Sequence, residues 1–236
     1  MLELNNYYIQ NNENLRDFFI IIYTILDDVY LKVTPKHIQN RRNVGESNLS
    51  DSEIITIATV GEAFGATSEK SWFNFIKREY KDLFPEIGDR TRFNRTKINL
   101  HDTILEIQKE MLYVMGYEKD NLRIIDSMPI PVCKFGRAHF SKSFKGIATY
   151  GYCASKKETF FGMKLHVICT QQGFISDFVL TAANVDDRDA LWDLTARYIN
   201  ISIIGDKGYI NKSLAPELKK EKLIDLIFMK RDNDKK

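Results

Sequence analysis

The chain has 236 residues, 44% hydrophobic and 28% charged, with a formal net charge of +2. Those proportions belong to a globular chain that can bury a core, and they exclude the disordered and collagen-like classes. No basic stretch precedes Arg16, and the longest apolar run, residues 18–26, is about half of the roughly 20 residues a membrane-spanning helix needs, so neither secretion nor a membrane partner is expected.

Residues 13–33 place Leu15, Phe18, Phe19, Ile22, Ile25, Leu26 and Val29 at the spacing of one helix face. Ser50 followed by Glu53 has the form of a capping box, because hydroxyl and carboxylate can each satisfy an amide left free at a helix start. The helix it opens is expected to reach Phe64 and stop at Gly65. A further helix is expected over 69–81, then a single long one over 90–115 with Asp89 as its N-cap. That helix begins RTRFNRTK, so Arg90, Arg92, Arg95 and Lys97 fall within two turns. They suit either contact with a DNA backbone, in a helix-turn-helix-like pair across FPEIGD, or a solvated helix face. The turn is longer than the usual roughly 3–4 residues of that motif.

The character of the chain changes near residues 116–121, which divides it into a helical region over 1–118, expected to bind DNA, and an α/β domain over 119–236. Strands are expected at 122–133, 162–170, 175–181, 201–205 and 224–229, with helices at 187–198 and 213–222. This order implies a mixed sheet. Between Ser127 and Ser176 the only acid is Glu158, against Lys134, Arg137, Lys142, Lys145, Lys156, Lys157 and Lys164. Phe135, Phe140, Phe144, Tyr150, Tyr152, Phe160, Phe161 and Phe174 are interleaved with these cations. The mixture suits phosphate contacts beside stacking surfaces, or a solvated basic face over a sheet whose aromatics form the core.

In LRIIDSMPIPV, strand alternation puts Ile124, Asp126, Met128 and Ile130 on one face, so a carboxylate is expected among apolar neighbours. Buried there, it needs an arginine, a cage of hydrogen bonds or a metal ion. Asp206 ends the run ISIIG ahead of Lys207, Gly208 and Tyr209. Strand ends of this kind hold ligands in open α/β sheets, while a turn alone also explains an Asp at such a place. Two carboxylates from neighbouring strands could share a Mg²⁺. Asp186, Asp187 and Asp189 in NVDDRDA read as caps of the helix expected to begin there. His139 and His166 lack metal-ligand spacing to a second His or Cys, and His166 shares a strand face with Lys164. Cys133, Cys153 and Cys169 form no Cys-x-x-Cys pair and read as reduced thiols. No phosphate-cradling glycine loop is present, so no nucleotide cofactor is expected.

The string YGYCASKKETFFGMKLHVICTQQGFISDFVLTAANVDDRDAL, preceded by RIIDSMPIPVCK and followed by IIGDKGYI, resembles the DDE-type insertion-sequence transposases, in particular the insertion sequence 982 family. LSDSEIITIA and LFPEIGDRTRFNR are similar to that family's helical N-terminal region. The resemblance implies an RNase H-like catalytic domain in which Asp126, on the first strand, is the first catalytic acid and Asp206, after the fourth, is the second. It implies two Mg²⁺ ions, for which Mn²⁺ can substitute, and phosphodiester cleavage followed by strand transfer. The implied partner is double-stranded DNA, both element ends and target, bound by a homodimer in the bacterial cytoplasm and nucleoid. Lys207 joins the basic residues of both halves as an expected DNA contact.

The family's third acid is a Glu on a helix after the fifth strand, and only RDNDKK follows the strand expected at 224–229. Glu217 and Glu221 precede that strand, and Asp232 and Asp234 stand at the chain end. The expectation is a transposase by descent that lacks its third acid and catalyses weakly or not at all. Two alternatives are a non-catalytic DNA-binding remnant or regulator and another RNase H-like nuclease. The string YGYC…SKKETFFGMKLH speaks against the nuclease.

Overall fold

The computed structural model describes residues 12–42, 44–209 and 214–228, so Asp232, Asp234 and Met229 lie outside the described residues. Two compact units divide between Met111 and Leu112. No helix among the described residues is long and apolar enough to cross a membrane.

The first unit is built from α1 (Asn12–Val33), α2 (Lys36–Gln39), α3 (Asp51–Ala63), α4 (Glu69–Glu79), α5 (Arg90–Asn99) and α6 (His101–Val114), the last crossing the division. Along α1, Leu15, Phe19, Leu26 and Tyr30 turn inward at helical spacing and meet Ile54, Ile57 and Val60 of α3 and Phe73 and Ile76 of α4. Phe19 stands edge-on to Phe84 at 5.5 Å. The capping box forms in both directions: the Ser50 hydroxyl accepts from the Glu53 amide (3.2 Å) and the Glu53 carboxylate from the Ser50 amide (2.6 Å). Behind it, the buried Asp51 accepts from the Tyr30 hydroxyl at 2.7 Å and from both ends of the Arg41 guanidinium at 2.5 and 2.6 Å.

The single helix expected over 90–115 is two helices that break at Leu100 (φ −88°, ψ 9°). The hydrogen-bond ladder survives the bend, since Leu100 N still donates to Thr96 O and Ile104 N to Leu100 O. The break therefore costs little, and it carries Leu100 into the core at 1% exposure, a burial worth about 2 kcal/mol.

The second unit holds β1 (Leu122–Pro131), β2 (Thr149–Cys153), β3 (Glu158–Thr170), β4 (Ile175–Ala182), α7 (Ala190–Leu194), β5 (Ser202–Gly205), α8 (Leu214–Lys222) and β6 (Asp225–Phe228). The strands form one mixed sheet in the order β2-β3-β1-β5-β6, with β4 also on β3. β3 runs antiparallel to β1, β2 and β4, whereas β1, β5 and β6 are parallel. This is the expected α/β architecture with a mixed sheet. β2 is a strand that the sequence does not announce, because its alternation Tyr150–Gly151–Tyr152 is short and looks like loop. Gly151 is required there, because a Cβ would lie 2.5 Å from the Ala183 carbonyl oxygen.

The helix expected over 187–198 is reduced to α7. It ends where the Thr195 hydroxyl turns back to donate to Leu191 O at 2.7 Å, a local bond that competes with continued helix. α7 and α8 cover one face of the sheet: Leu191, Leu194, Leu214 and Leu218 pack with Ile125, Ile168 and Ile203. On the other face Ile124, Met128 and Leu180 are exposed.

Candidate active site

β1 and β5 run side by side in a parallel register that pairs Ile124 with Ile204, and two residues further along each strand direction stands a carboxylate, Asp126 and Asp206. Each has one oxygen held by its own backbone. Asp126 Oδ1 accepts from Ser127 N, and Asp206 Oδ1 from Gly208 N, both at 2.7 Å. Neither makes an ion pair among the described residues.

The expectation that Asp126 is buried among apolar neighbours is corrected by the structure. Asp126 is exposed, and Ile124 and Met128 on its face are exposed with it. The physical reason is that α7 and α8 cover the opposite face, so water solvates this carboxylate and no compensating partner is required.

On the covered side a polar cluster lies within the sheet. Asp187 Oδ1 accepts from the Ser127 hydroxyl at 3.2 Å and from Lys164 Nζ at 3.0 Å, and stands 3.7 Å from His166 Nδ1. Lys164 also donates to Val185 O at 2.9 Å. His166 is wholly buried, with Nδ1 at 3.3 Å from the Tyr209 hydroxyl and Nε2 at 3.0 Å from Thr181 Oγ1. Burial pushes the His166 pKa down, with Asp187 opposing. Burial pushes the Tyr209 hydroxyl up, and Asp187, Asp126 and Asp206 add to the shift. All three carboxylates thus act on one hydroxyl.

The expectation that Asp187 caps a helix is also corrected. α7 starts only at Ala190, and its N-cap Asp189 makes no side-chain cap bond. Asp186 serves the turn instead, accepting from Arg188 N at 3.0 Å and from the Arg188 guanidinium, whose bonds hold its carboxyl at about 2. Asp187 is thereby freed to face the sheet. It also converges with Asp206 on Gly208: a Cβ there would lie 2.9 Å from Asp187 Oδ2 and 2.9 Å from Asp206 Oδ1.

Hard divalent cations take carboxylate oxygens of the kind Asp126 and Asp206 present. Among the described residues, however, no three His, Cys, Asp or Glu side chains are grouped to hold one ion. Glu217 and Glu221 lie on α8, ahead of β6.

The expected DNA contacts separate into distinct groups. Lys134, Arg137, Lys142, Lys145, Lys156 and Lys157 are all exposed. They are interspersed with exposed Phe135, Phe140, Phe144, Tyr150 and Tyr152, so these aromatics are surface and not core. Lys164 is the exception, because it faces the covered side and pairs with Asp187. The Lys207 side chain lies outside the described residues.

In the first unit, Arg90 and Lys97 reach Glu69 of α4, joined by Asn94 Nδ2 at 2.8 and 2.9 Å. Burial pushes the Glu69 carboxyl up, but hydrogen bonds from Lys97, Asn94 and Arg90 outweigh it and hold the group below its ordinary value. Arg90 and Lys97 are therefore ties between α4 and α5. Arg92 and Arg95 lie on another side of α5, on a cleft they share with Arg41 and Arg42.

A family model described as a transposase DDE domain matches residues 117–236. No curated protein and no solved structure matches the chain.

Proposed function

Because the chain belongs to the transposase DDE domain family, we propose that Asp126 and Asp206 are its first two catalytic acids and hold divalent metal for phosphodiester cleavage and strand transfer at DNA ends. The observation that carries this reading is their shared level on the parallel strands β1 and β5, each with a backbone-held oxygen and no competing cation among the described residues. A divalent ion bound there would act as a Lewis acid on a phosphoryl oxygen and lower the pKa of an attacking water.

The chain's own residues supply position and charge. The amides of Ser127 and Gly208 fix the two carboxylates, while the exposed lysines and aromatics of 134–157 offer a path for the DNA backbone and its bases. The RNase H-like fold of the catalytic domain and membership of the insertion sequence 982 family belong to this same reading. The mixed sheet and the motif string RIIDSMPIPVCK…IIGDKGYI support both.

A second reading, DNA binding without catalysis, rests on the exposed cations and aromatics of 134–157, which can meet a DNA backbone without any metal. One experiment separates the two. Purified chain is incubated with duplex DNA and Mg²⁺ or Mn²⁺, and binding, nicking and end joining are followed for wild type, Asp126→Asn and Asp206→Asn. Metal-dependent nicking lost in both variants supports the catalytic pair. DNA binding unchanged by either variant, with no nicking in any metal, supports the second reading and rejects the first.

A further inference from the structure

Asp187 reaches toward both acids at once. Its Oδ1 accepts at 3.2 Å from the hydroxyl of Ser127, the neighbour of Asp126, and its Oδ2 would stand 2.9 Å from a Cβ on Gly208, in the turn that follows Asp206. We propose that Asp187, held by Lys164, is a positioning residue that sets the placement of the two acids relative to each other. The proposal rests on the reading that Asp126 and Asp206 hold a divalent ion, and it adds what fixes the space between them.

The link to Asp126 runs through a single residue. Ser127 gives its hydroxyl to Asp187 and its amide to Asp126 Oδ1, the latter at 2.7 Å. A shift of the acceptor of that hydroxyl is thereby passed to the amide that holds the acid. The link to Asp206 is one of packing. Gly208 N donates to Asp206 Oδ1 at 2.7 Å, and the side of Gly208 where a Cβ would stand faces Asp187. A methyl there would push against both carboxylates, so the turn has room for Asp187 because residue 208 is glycine.

Lys164 supplies the anchor. Its Nζ donates to Asp187 Oδ1 at 3.0 Å and to Val185 O at 2.9 Å, with the lysine side chain only 18% exposed. It projects from β3, whose pairing with β1 sets Lys164 opposite Pro129 and His166 opposite Ser127. The cation is thus fixed by the same register that fixes Asp126. Its charge also offsets the repulsion a third carboxylate meets near two others. That the three lie around one point is seen at the Tyr209 hydroxyl, which burial pushes up first and the charges of Asp187, Asp126 and Asp206 push further. A largely buried ion pair adds little net stability over an apolar pair of the same size, and what it can provide is a defined geometry. Asp187 Oδ1 is already engaged by Ser127 and Lys164, which fits positioning and not the part of a further ligand.

The test is binding of Tb³⁺, a hard cation, to the full chain, followed by luminescence, with decay times in H₂O and D₂O giving the number of waters on the bound ion. Asp126→Asn should abolish binding. Ser127→Ala, which changes no charge, and Asp187→Asn should each weaken it about tenfold and alter the water count, the size of loss typical when groups orienting a metal ligand are removed. Ser127→Thr, which keeps a hydroxyl, should restore both. Because Ser127 and Asp187 act through one bond, the double variant should lose little more than either single one. Melts in EDTA expose any loss due to unfolding, and the neutral Ser127→Ala carries the test if Asp187→Asn melts early. Wild-type affinity in Ser127→Ala while Asp126→Asn binds nothing would overturn the proposal and leave the pair of acids standing. A loss confined to Asp187→Asn would do the same, being an effect of charge alone. No Tb³⁺ binding by wild type, or binding unchanged in Asp126→Asn, would reject the pair as metal ligands and the positioning role with it.

Discussion

The Tyr209 hydroxyl and His166 Nδ1 meet at 3.3 Å inside the second unit, where His166 is wholly buried and Tyr209 is 1% exposed. Tyr209 closes the short turn Lys207–Tyr209 that follows Asp206, so this contact fastens a loop carboxylate to the centre of β3. Replacing Tyr209 with Phe keeps the ring and removes the hydroxyl, leaving a buried imidazole nitrogen short of a partner. Such a loss costs about 1–3 kcal/mol. Urea unfolding should show a lower midpoint at unchanged slope, and an unchanged midpoint would mean the contact does not hold the turn.

The same histidine makes stability depend on pH. Its folded pKa is pushed below the ordinary 6.5 by burial, so the unfolded chain takes up a proton that the folded chain refuses. The contribution is complete above about 6.5, falls as pH drops through that value, and levels off below the folded pKa. Thermal melts between pH 7.5 and pH 5 are expected to fall less in His166→Gln than in wild type, on the order of what one histidine supplies. Parallel curves would rule out His166 as the source.

Gly208 is the point on which Asp187 and Asp206 converge, and Gly208→Ala inserts a methyl at 2.9 Å from an oxygen of each. The carboxylates must move apart while the sheet beneath is untouched. Displacing the groups that orient a metal ligand typically costs 10–100-fold in metal affinity. Titration with Mn²⁺ or Tb³⁺ should reveal roughly a tenfold loss, with far-ultraviolet circular dichroism unchanged. Full affinity in this variant would mean that the approach of Gly208 to the two carboxylates does not set the geometry of metal binding.

In the first unit, Asp51→Ala strips Arg41 of its two carboxylate bonds and Tyr30 of its acceptor. Removing one partner of a largely buried pair costs about 3 kcal/mol. The neighbouring Ser50→Ala, which removes only the helix cap, should cost about 1 kcal/mol. Chemical denaturation of the two variants side by side tests the ranking, and equal losses would contradict it.

Local chemistry was the legible part of this chain. The Ser50–Glu53 capping box, the helix along α1 and the alternation of β1 follow from neighbours in sequence, and the structure bears them out. What sequence spacing could not supply was which face of β1 the helices would cover. That depends on how α7 and α8 fall on the sheet, and it placed Asp126 on the open side. Asp187 was hidden for a related reason. Three acids before an apolar stretch look like caps, and only the shortness of α7 released one of them toward Lys164 and Ser127. A usable signal did exist in His166 and Lys164, two polar residues on one face of an otherwise apolar strand. The four basic residues of RTRFNRTK divided as they did because Glu69, far away in sequence, claims Arg90 and Lys97.

Adjacent positions on β1 answer to different masters. Asp126 looks into solvent, so ions, ionic strength and approaching polymers set its behaviour, while Ser127 is tied through Asp187 to the interior. A saturation scan along 122–131 should therefore read as a two-beat rhythm, odd positions registering as reduced protein yield and even ones leaving the yield near wild type. Substitutions at the even positions would then alter the face that carries Asp126 while the scaffold passes on unchanged.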